Sequence, residues 1–189
     1  MDNVNIINTE ECVARAVGYF KQGYNCAQSV VMAFAPFYSL PDTLLARISS
    51  SFGGGIGRMR ETCGAACGMF LLAGLEVDTP DDTPSASVLS AQKHSDCMEH
   101  NPYPSPTIKK KNYEVVQQLA ASFRQSTGSL ICKELLGLNR PQANPIVKNE
   151  GTTPDARTDE YYKKRPCIRM IETATRIYCD YLNSKYNNA

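Results

Sequence analysis

The sequence predicts an all-α fold, a compact helical bundle of about six or seven helices, and three observations carry that expectation. Apolar residues recur at helical spacing through most of the chain. No run alternates apolar and polar residues as a strand would. Helix-starting residues (Thr9, Asn25, Pro41-Asp42, Ser129) and helix-ending glycines (Gly23, Gly128, Gly137) punctuate the periodic segments.

Taken in order, Thr9, Glu10 and Glu11 followed by Val13, Ala16, Val17 and Phe20 predict a capped amphipathic helix ending at Gly23. Asn25 opens a second helix that carries Cys26 to about Phe34, where Pro36 disturbs it. Pro41-Asp42 opens a third, with Leu44, Leu45 and Ile48 on its buried side. Gly53-Gly54-Gly55-Ile56-Gly57 breaks regular structure. From Thr62 to Leu75 the residues are small and apolar, a buried helix. Gly64 and Gly68 each cost it about 1 kcal/mol against Ala, so something packs closely there.

Residues 78 to 106 hold five prolines among Asp, Thr and Ser and read as irregular, with a short helix around Ser85 to His94. Helical pattern returns with Tyr113, Val116, Leu119, Ala120 and Phe123 and stops at Gly128. A short helix after Ser129 carries Cys132 and ends at Gly137. A second Pro-rich loop spans 139 to 158. The last helix runs from about Thr158 or Arg165 to Tyr186, with Pro166 as its first residue or a kink. The organisation is one helical domain, 1–189, with a Pro-rich insertion at about 78–112.

Composition excludes several function classes. Of 189 residues 42% are hydrophobic, enough for an ordinary core, and the net charge of +1 gives no electrostatic reason to expect nucleic acid or an anionic membrane. The longest apolar runs, such as Val30 to Ala35, are too short for a membrane span. The polar N-terminus lacks a secretory signal, so a cytoplasmic location is expected. The unusual count is eight cysteines. In a reducing compartment these are buried small residues, metal or cluster ligands, or redox-active thiols.

Position separates them. Cys26, Cys63, Cys132 and Cys167 each fall at the start of a different predicted helix. There free backbone N–H groups and the positive end of the helix dipole favour thiolate over thiol. The bland alternative is that first-turn positions facing a core often hold a small apolar residue. Cys12 also sits in a first turn and fits no further constellation. Cys67, four residues after Cys63, borders the same face, Cys97 reads as incidental, and Cys179 as core. The glycine run is not a phosphate loop, since no Gly-Lys-Ser/Thr follows; it reads as a tight turn that lets the backbone approach Cys63. Gly55 and Gly64 are thus the candidate cofactor-lining positions. His94 and His100 lie in the Pro-rich excursion and give histidine catalysis little support.

Several ordered motifs resemble a known family of redox-active bacterial and archaeal proteins, defined by four cysteines and a CGAxxG motif and often written C…GCAxxG…C…C. They are Gly23-Tyr24-Asn25-Cys26-Ala27-Gln28, Phe52 to Arg58, Cys63-Gly64-Ala65-Ala66-Cys67-Gly68, Cys132-Lys133-Glu134-Leu135-Leu136-Gly137 and Pro166-Cys167. The resemblance covers about 9–77 and 113–182. It implies that Cys26, Cys63, Cys132 and Cys167 are the family's four cysteines and that the activity is redox. A related domain in some multihaem cytochromes is associated with an iron–sulfur centre. No Cys-x-x-Cys-His is present, so covalent haem is not expected. Cys67 inside the motif and the long 78–112 segment depart from the pattern.

Three functions follow. In the first, the four cysteines hold an iron–sulfur cluster, with zinc ranked behind it because structural zinc sites usually pair their cysteines about two to four residues apart, a pairing these four lack. In the second, cysteine pairs perform thiol–disulfide exchange without metal, Cys26, Cys63, Cys132 and Cys167 then being catalytic. In the third, a structural or partner-binding protein simply buries them. The expected partner is an unidentified redox protein.

Overall fold

The computed structural model describes residues 7–77, 105–138 and 151–187. Within them lie nine α-helices and no β-strand. Helix α1 (Thr9–Lys21) starts where the Asn8 side chain accepts the Glu11 N–H at 3.2 Å. Helix α2 (Cys26–Ala33) starts with a capping box: Asn25 Oδ1 accepts the Gln28 N–H, and Gln28 Oε1 accepts the Asn25 N–H, both at 3.0 Å. A one-turn α3 (Ala35–Tyr38) uses Pro36 in its first turn, and α4 (Asp42–Ser49) follows Pro41. Helix α5 (Gly64–Ala73) is buried along nearly its whole length. Then come α6 (Pro106–Thr127), a one-turn α7 (Cys132–Leu135), α8 (Asp159–Lys164) capped by Thr158, and α9 (Cys167–Asn187).

The core forms around α2, which packs on α1, α4, α5 and α9. Phe20, Phe34, Leu45, Met69, Leu72, Phe123, Ile171, Tyr178 and Leu182 are its large, fully buried side chains. Gly68 explains its own cost to α5. A Cβ there would stand 2.9 Å from the Ala27 carbonyl oxygen and 3.0 Å from Val30 Cβ, so glycine lets α5 and α2 approach backbone to side chain. At the far end, Tyr38 donates to Glu76 at 2.7 Å, and Lys185 and Tyr186 donate to the same carboxylate at 2.9 and 3.0 Å. This buried polar cluster ties α3, the turn after α5 and the end of α9 together.

Several expectations are corrected. The first cap is Asn8, one residue earlier than Thr9. Leu44 and Ile48 are 37% and 45% exposed. Only Leu45 and Ser49 of α4 are buried, because this edge helix offers α2 a narrow stripe. Helix α6 begins at Pro106, whose missing N–H costs nothing in a first turn, so residues 106–112 are helical rather than irregular. The last helix is two: Arg165 is extended, as the residue before a proline prefers, and α9 starts afresh after Pro166. The short helix expected near 85–94 lies outside the described residues, as do His94, Cys97 and His100.

Candidate functional site

Each of the four helix-start cysteines is delivered by its own device. Cys26 is the first residue of α2, behind the Asn25 capping box. Cys63 is the N-cap residue of α5. Cys132 opens α7 and Cys167 opens α9 directly after Pro166. Cys63 and Cys132 are coupled by the backbone: Thr62 and Ile131 form an isolated antiparallel bridge. Beside it the Cys63 N–H donates to Leu130 O at 2.7 Å and the Cys132 N–H to Glu61 O at 2.6 Å. This pairing sets two helix starts side by side although 69 positions separate them.

All four cysteines line one cavity of about 270 Å³. Cys63 and Cys132 are buried, while Cys26 and Cys167 are half-buried on its wall. Glycines line the cavity beside them: Gly53, Gly54, Gly55, Gly57 and Gly64. A Cβ on Gly55 would stand 2.6 Å from Cys132 Cβ, and one on Gly64 would stand 2.8 Å from Phe52 O and 3.3 Å from Cys26 Cβ. The close approach of the glycine run is therefore to Cys132, not to Cys63 as the sequence reading had it. Gly53 instead makes room for the Asn25 side chain.

Five successive residues, Gly54 to Arg58, have positive φ between 54° and 75°, and Arg60 follows at 64°. Glycine adopts this freely, but Ile56, Arg58 and Arg60 hold it at about 1–2 kcal/mol each. The strained turn is pinned by Gly57 N–H to Ser51 O at 2.7 Å, Arg58 N–H to Gly53 O and Glu61 N–H to Gly55 O, both at 3.1 Å.

Its strained arginines belong to the site. Arg58, Arg60, Arg157 and Arg165 line the cavity against a single carboxylate, Asp155. Arg58 donates to Asp155 at 2.8 Å and to Gly151 O at 3.0 Å, and Arg165 donates to the same Asp155 oxygen at 2.9 Å. Two guanidinium groups stand over the Tyr161 ring, Arg157 at 4.7 Å and Arg165 at 4.5 Å from its centroid. Among the described residues, Arg157 Nη1 and Arg165 Nε are buried with no hydrogen-bond partner.

Electrostatics divide the thiols. Hydrogen bonding with Cys26 holds Cys167 below the usual thiol range against the opposing effect of burial, with Arg165, Arg157 and Arg60 adding to it. The same interaction, with burial, pushes Cys26 well up. Burial pushes Cys63 up to about 12. Cys132 is raised by burial and by Cys167, with Arg60 opposing. The site so arranged favours ionisation of Cys167 and disfavours that of Cys26, Cys63 and Cys132.

Cys67 is buried outside the cavity lining, its sulfur 3.9 Å from Thr62 O. Cys12 and Cys179 are likewise outside it. The four arginines, Asp155 and Tyr161 were missed by sequence reasoning. Arg58 closing the glycine run and Arg165 two residues before Cys167 were the available signals; nothing local marked Arg157. Among the described residues, no three His, Cys, Asp or Glu side chains stand close enough to share one metal ion.

Fold and site thus define a class: a helical protein with four thiols and an arginine wall around one cavity. The family model described as "Putative redox-active protein (C_GCAxxG_C_C)" matches residues 24–181. The chain belongs to that family. No curated protein and no solved structure matches it. No helix among the described residues is long and apolar enough to cross a membrane.

Proposed function

We propose that Cys26, Cys63, Cys132 and Cys167 hold an iron–sulfur cluster and that the protein passes electrons to a redox partner. The observation that carries this reading is the placement of four helix-start thiols around a volume of about 270 Å³ rather than around a point. A single zinc ion would need four sulfurs about 2.3 Å from one centre. The described side chains offer no such convergence, so zinc is the weaker occupant. A cluster, when bound, supplies one-electron transfer. The chain's own groups would tune it. Arg157 Nη1 and Arg165 Nε are spare donors for cluster or thiolate sulfur. The arginine wall offsets the negative charge of four thiolates, which favours the reduced state. Gly55 and Gly64 keep the space clear. A cytoplasmic setting belongs to the same reading, because free thiols persist where disulfides are kept reduced.

Anaerobic purification, iron and acid-labile sulfide analysis, visible absorption and electron paramagnetic resonance test it. A brown protein that loses colour and iron on Cys26→Ser, Cys63→Ser, Cys132→Ser or Cys167→Ser is expected. Colourless protein after anaerobic reconstitution with ferrous iron and sulfide overturns it.

A second reading rests on Cys26 and Cys167 lining one cavity, with Cys167 held below the usual thiol range. In metal-free protein the Cys167 thiolate attacks a substrate disulfide, forming a mixed disulfide and expelling one substrate thiolate. Cys26 then attacks Cys167 Sγ, closing the protein disulfide and releasing the second thiol. Trapping of the mixed disulfide in Cys26→Ser, with no reaction in Cys167→Ser, supports this reading.

A further inference from the structure

Residues 151–157 form no helix, and Thr152, Pro154, Asp155 and Arg157 among them line the cavity. Asp155 Oδ2 accepts from Arg58 Nη1 at 2.8 Å and from Arg165 Nη2 at 2.9 Å, two guanidinium groups far apart in the chain. Two arginines on one oxygen is how an oxyanion is received, and here the protein supplies the oxygen itself. The charges do not balance. Four guanidinium groups line the cavity, and among the described residues Asp155 is the one acidic side chain that does, an excess of three positive charges. Ionisation of Cys167 lowers that excess to two. We propose that this cavity also binds the dianionic oxyanion of a small molecule, a phosphate group being the type, with Asp155 holding its place until it arrives.

A purely structural arginine cluster would use its buried donors within the chain. Arg58 does so, giving Nε to Gly151 O at 3.0 Å and Nη1 to Asp155. The Arg165 side chain is only 4% exposed, yet its Nε has no partner among the described residues, and Arg157 Nη1 is buried in the same condition. Leaving such a donor unpaired costs about 1–3 kcal/mol, and more for a charged group, so both point to an acceptor from outside the chain. Water satisfies the donors but leaves the excess charge. A dianion answers both.

The cavity opens to solvent, since Ser50, Gly57, Thr152 and Pro154 line it and are exposed. The Arg58 and Asp155 side chains are 15% and 21% exposed, so the ion pair that must open lies near the surface. An entering dianion sets two negative charges against the arginines where Asp155 set one, which drives the exchange. With Asp155 displaced, Arg58 Nη1 and Arg165 Nη2 become donors too. The oxyanion then has partners even where cluster or thiolate sulfur meets Arg157 Nη1 and Arg165 Nε, so the site does not rest on the cluster reading. The rest of the bound molecule lies in the cavity that the four cysteines line.

The test uses the full chain, reduced and iron-free, titrated with inorganic phosphate by calorimetry and by thermal melts, with chloride at matched ionic strength as the control. Saturable binding and a Tm rise that chloride does not reproduce are expected. Bound phosphate should also slow alkylation of Cys167 by a neutral reagent, which places it in the cavity. Arg157→Gln should weaken binding roughly tenfold or more, the loss of a charged hydrogen bond. Asp155→Asn should tighten it several-fold, because the competing carboxylate is gone, and Arg176→Gln, on the far pair with Glu10, should leave it unchanged. An equal Tm rise with chloride overturns the proposal, as do unchanged Cys167 alkylation, unchanged binding in Arg157→Gln, unchanged or weaker binding in Asp155→Asn, or an equal loss in Arg176→Gln. Iron is absent throughout, so failure here leaves the cluster reading standing, and a protein that takes up no cluster leaves this one standing.

Discussion

Replacing Gly55 by alanine isolates what the glycine wall does for the cysteine site. The new Cβ would stand 2.6 Å from Cys132 Cβ and 3.0 Å from the Arg60 Cα and carbonyl carbon, and the residue would keep a φ of +75°. Left-handed strain costs about 1–2 kcal/mol. The overlap involves backbone on one side and the first side-chain atom on the other, neither of which swings away, so overpacking adds about 1–3 kcal/mol. Gly57→Ala is the control. Its φ is +54°, yet no atom lies within 4 Å of the added Cβ, so it incurs the strain alone. Both substitutions restrict the unfolded chain equally, and that contribution cancels in the comparison. Urea unfolding of reduced, metal-free protein should show Gly55→Ala less stable than Gly57→Ala by about 1–3 kcal/mol at equal m-value. In Tm the gap is about 2–10 °C. Alkylation of Cys132 should accelerate only in Gly55→Ala, since its sulfur is displaced. Equal stabilities within about 0.5 kcal/mol, or unchanged Cys132 reactivity, would refute the claim that this glycine exists to seat Cys132.

Three further outcomes follow from the same geometry. Gly18→Ala, which meets open space inside α1, should stabilise by about 0.5–1 kcal/mol, whereas Gly68→Ala should destabilise despite the same gain in helix propensity, because its Cβ meets Ala27 O at 2.9 Å; thermal melts give the two signs. Tyr38→Phe removes buried hydrogen bonds to Glu76 at 2.7 Å and to Tyr178 at 2.5 Å and should cost about 1.5–3 kcal/mol in urea unfolding. Asp155 is held below the usual carboxylate range: burial opposes this, but hydrogen bonding from Arg58 and the charge of Arg165 outweigh it. Its ionised form therefore adds stability above about pH 4, lost as pH falls through the lowered native value. The stability gap between wild type and Asp155→Asn should narrow from pH 5 to pH 3.

The helices were legible because local physics specifies them. Asn25 and Gln28 are neighbours in sequence, so their capping box could be anticipated without any fold, and with it the placement of Cys26 at a helix start. Gly128 and Pro166 ended and started helices for equally local reasons. The cost of Gly64 and Gly68 in a helix announced a close packing partner but not its identity. Only the tertiary structure decided that. Cys63 and Cys132 meet because Thr62 bridges Ile131 across the chain, and no local preference encodes that pairing. Arg157 joins the cavity because its guanidinium stacks on Phe20 at 4.5 Å, far away in sequence, as well as on the nearby Tyr161 at 4.7 Å. The left-handed turn from Gly54 to Arg58 was half visible in its glycines. Its extension through Ile56 and Arg58 was not, since those residues disfavour that conformation and only the surrounding hydrogen bonds hold them in it.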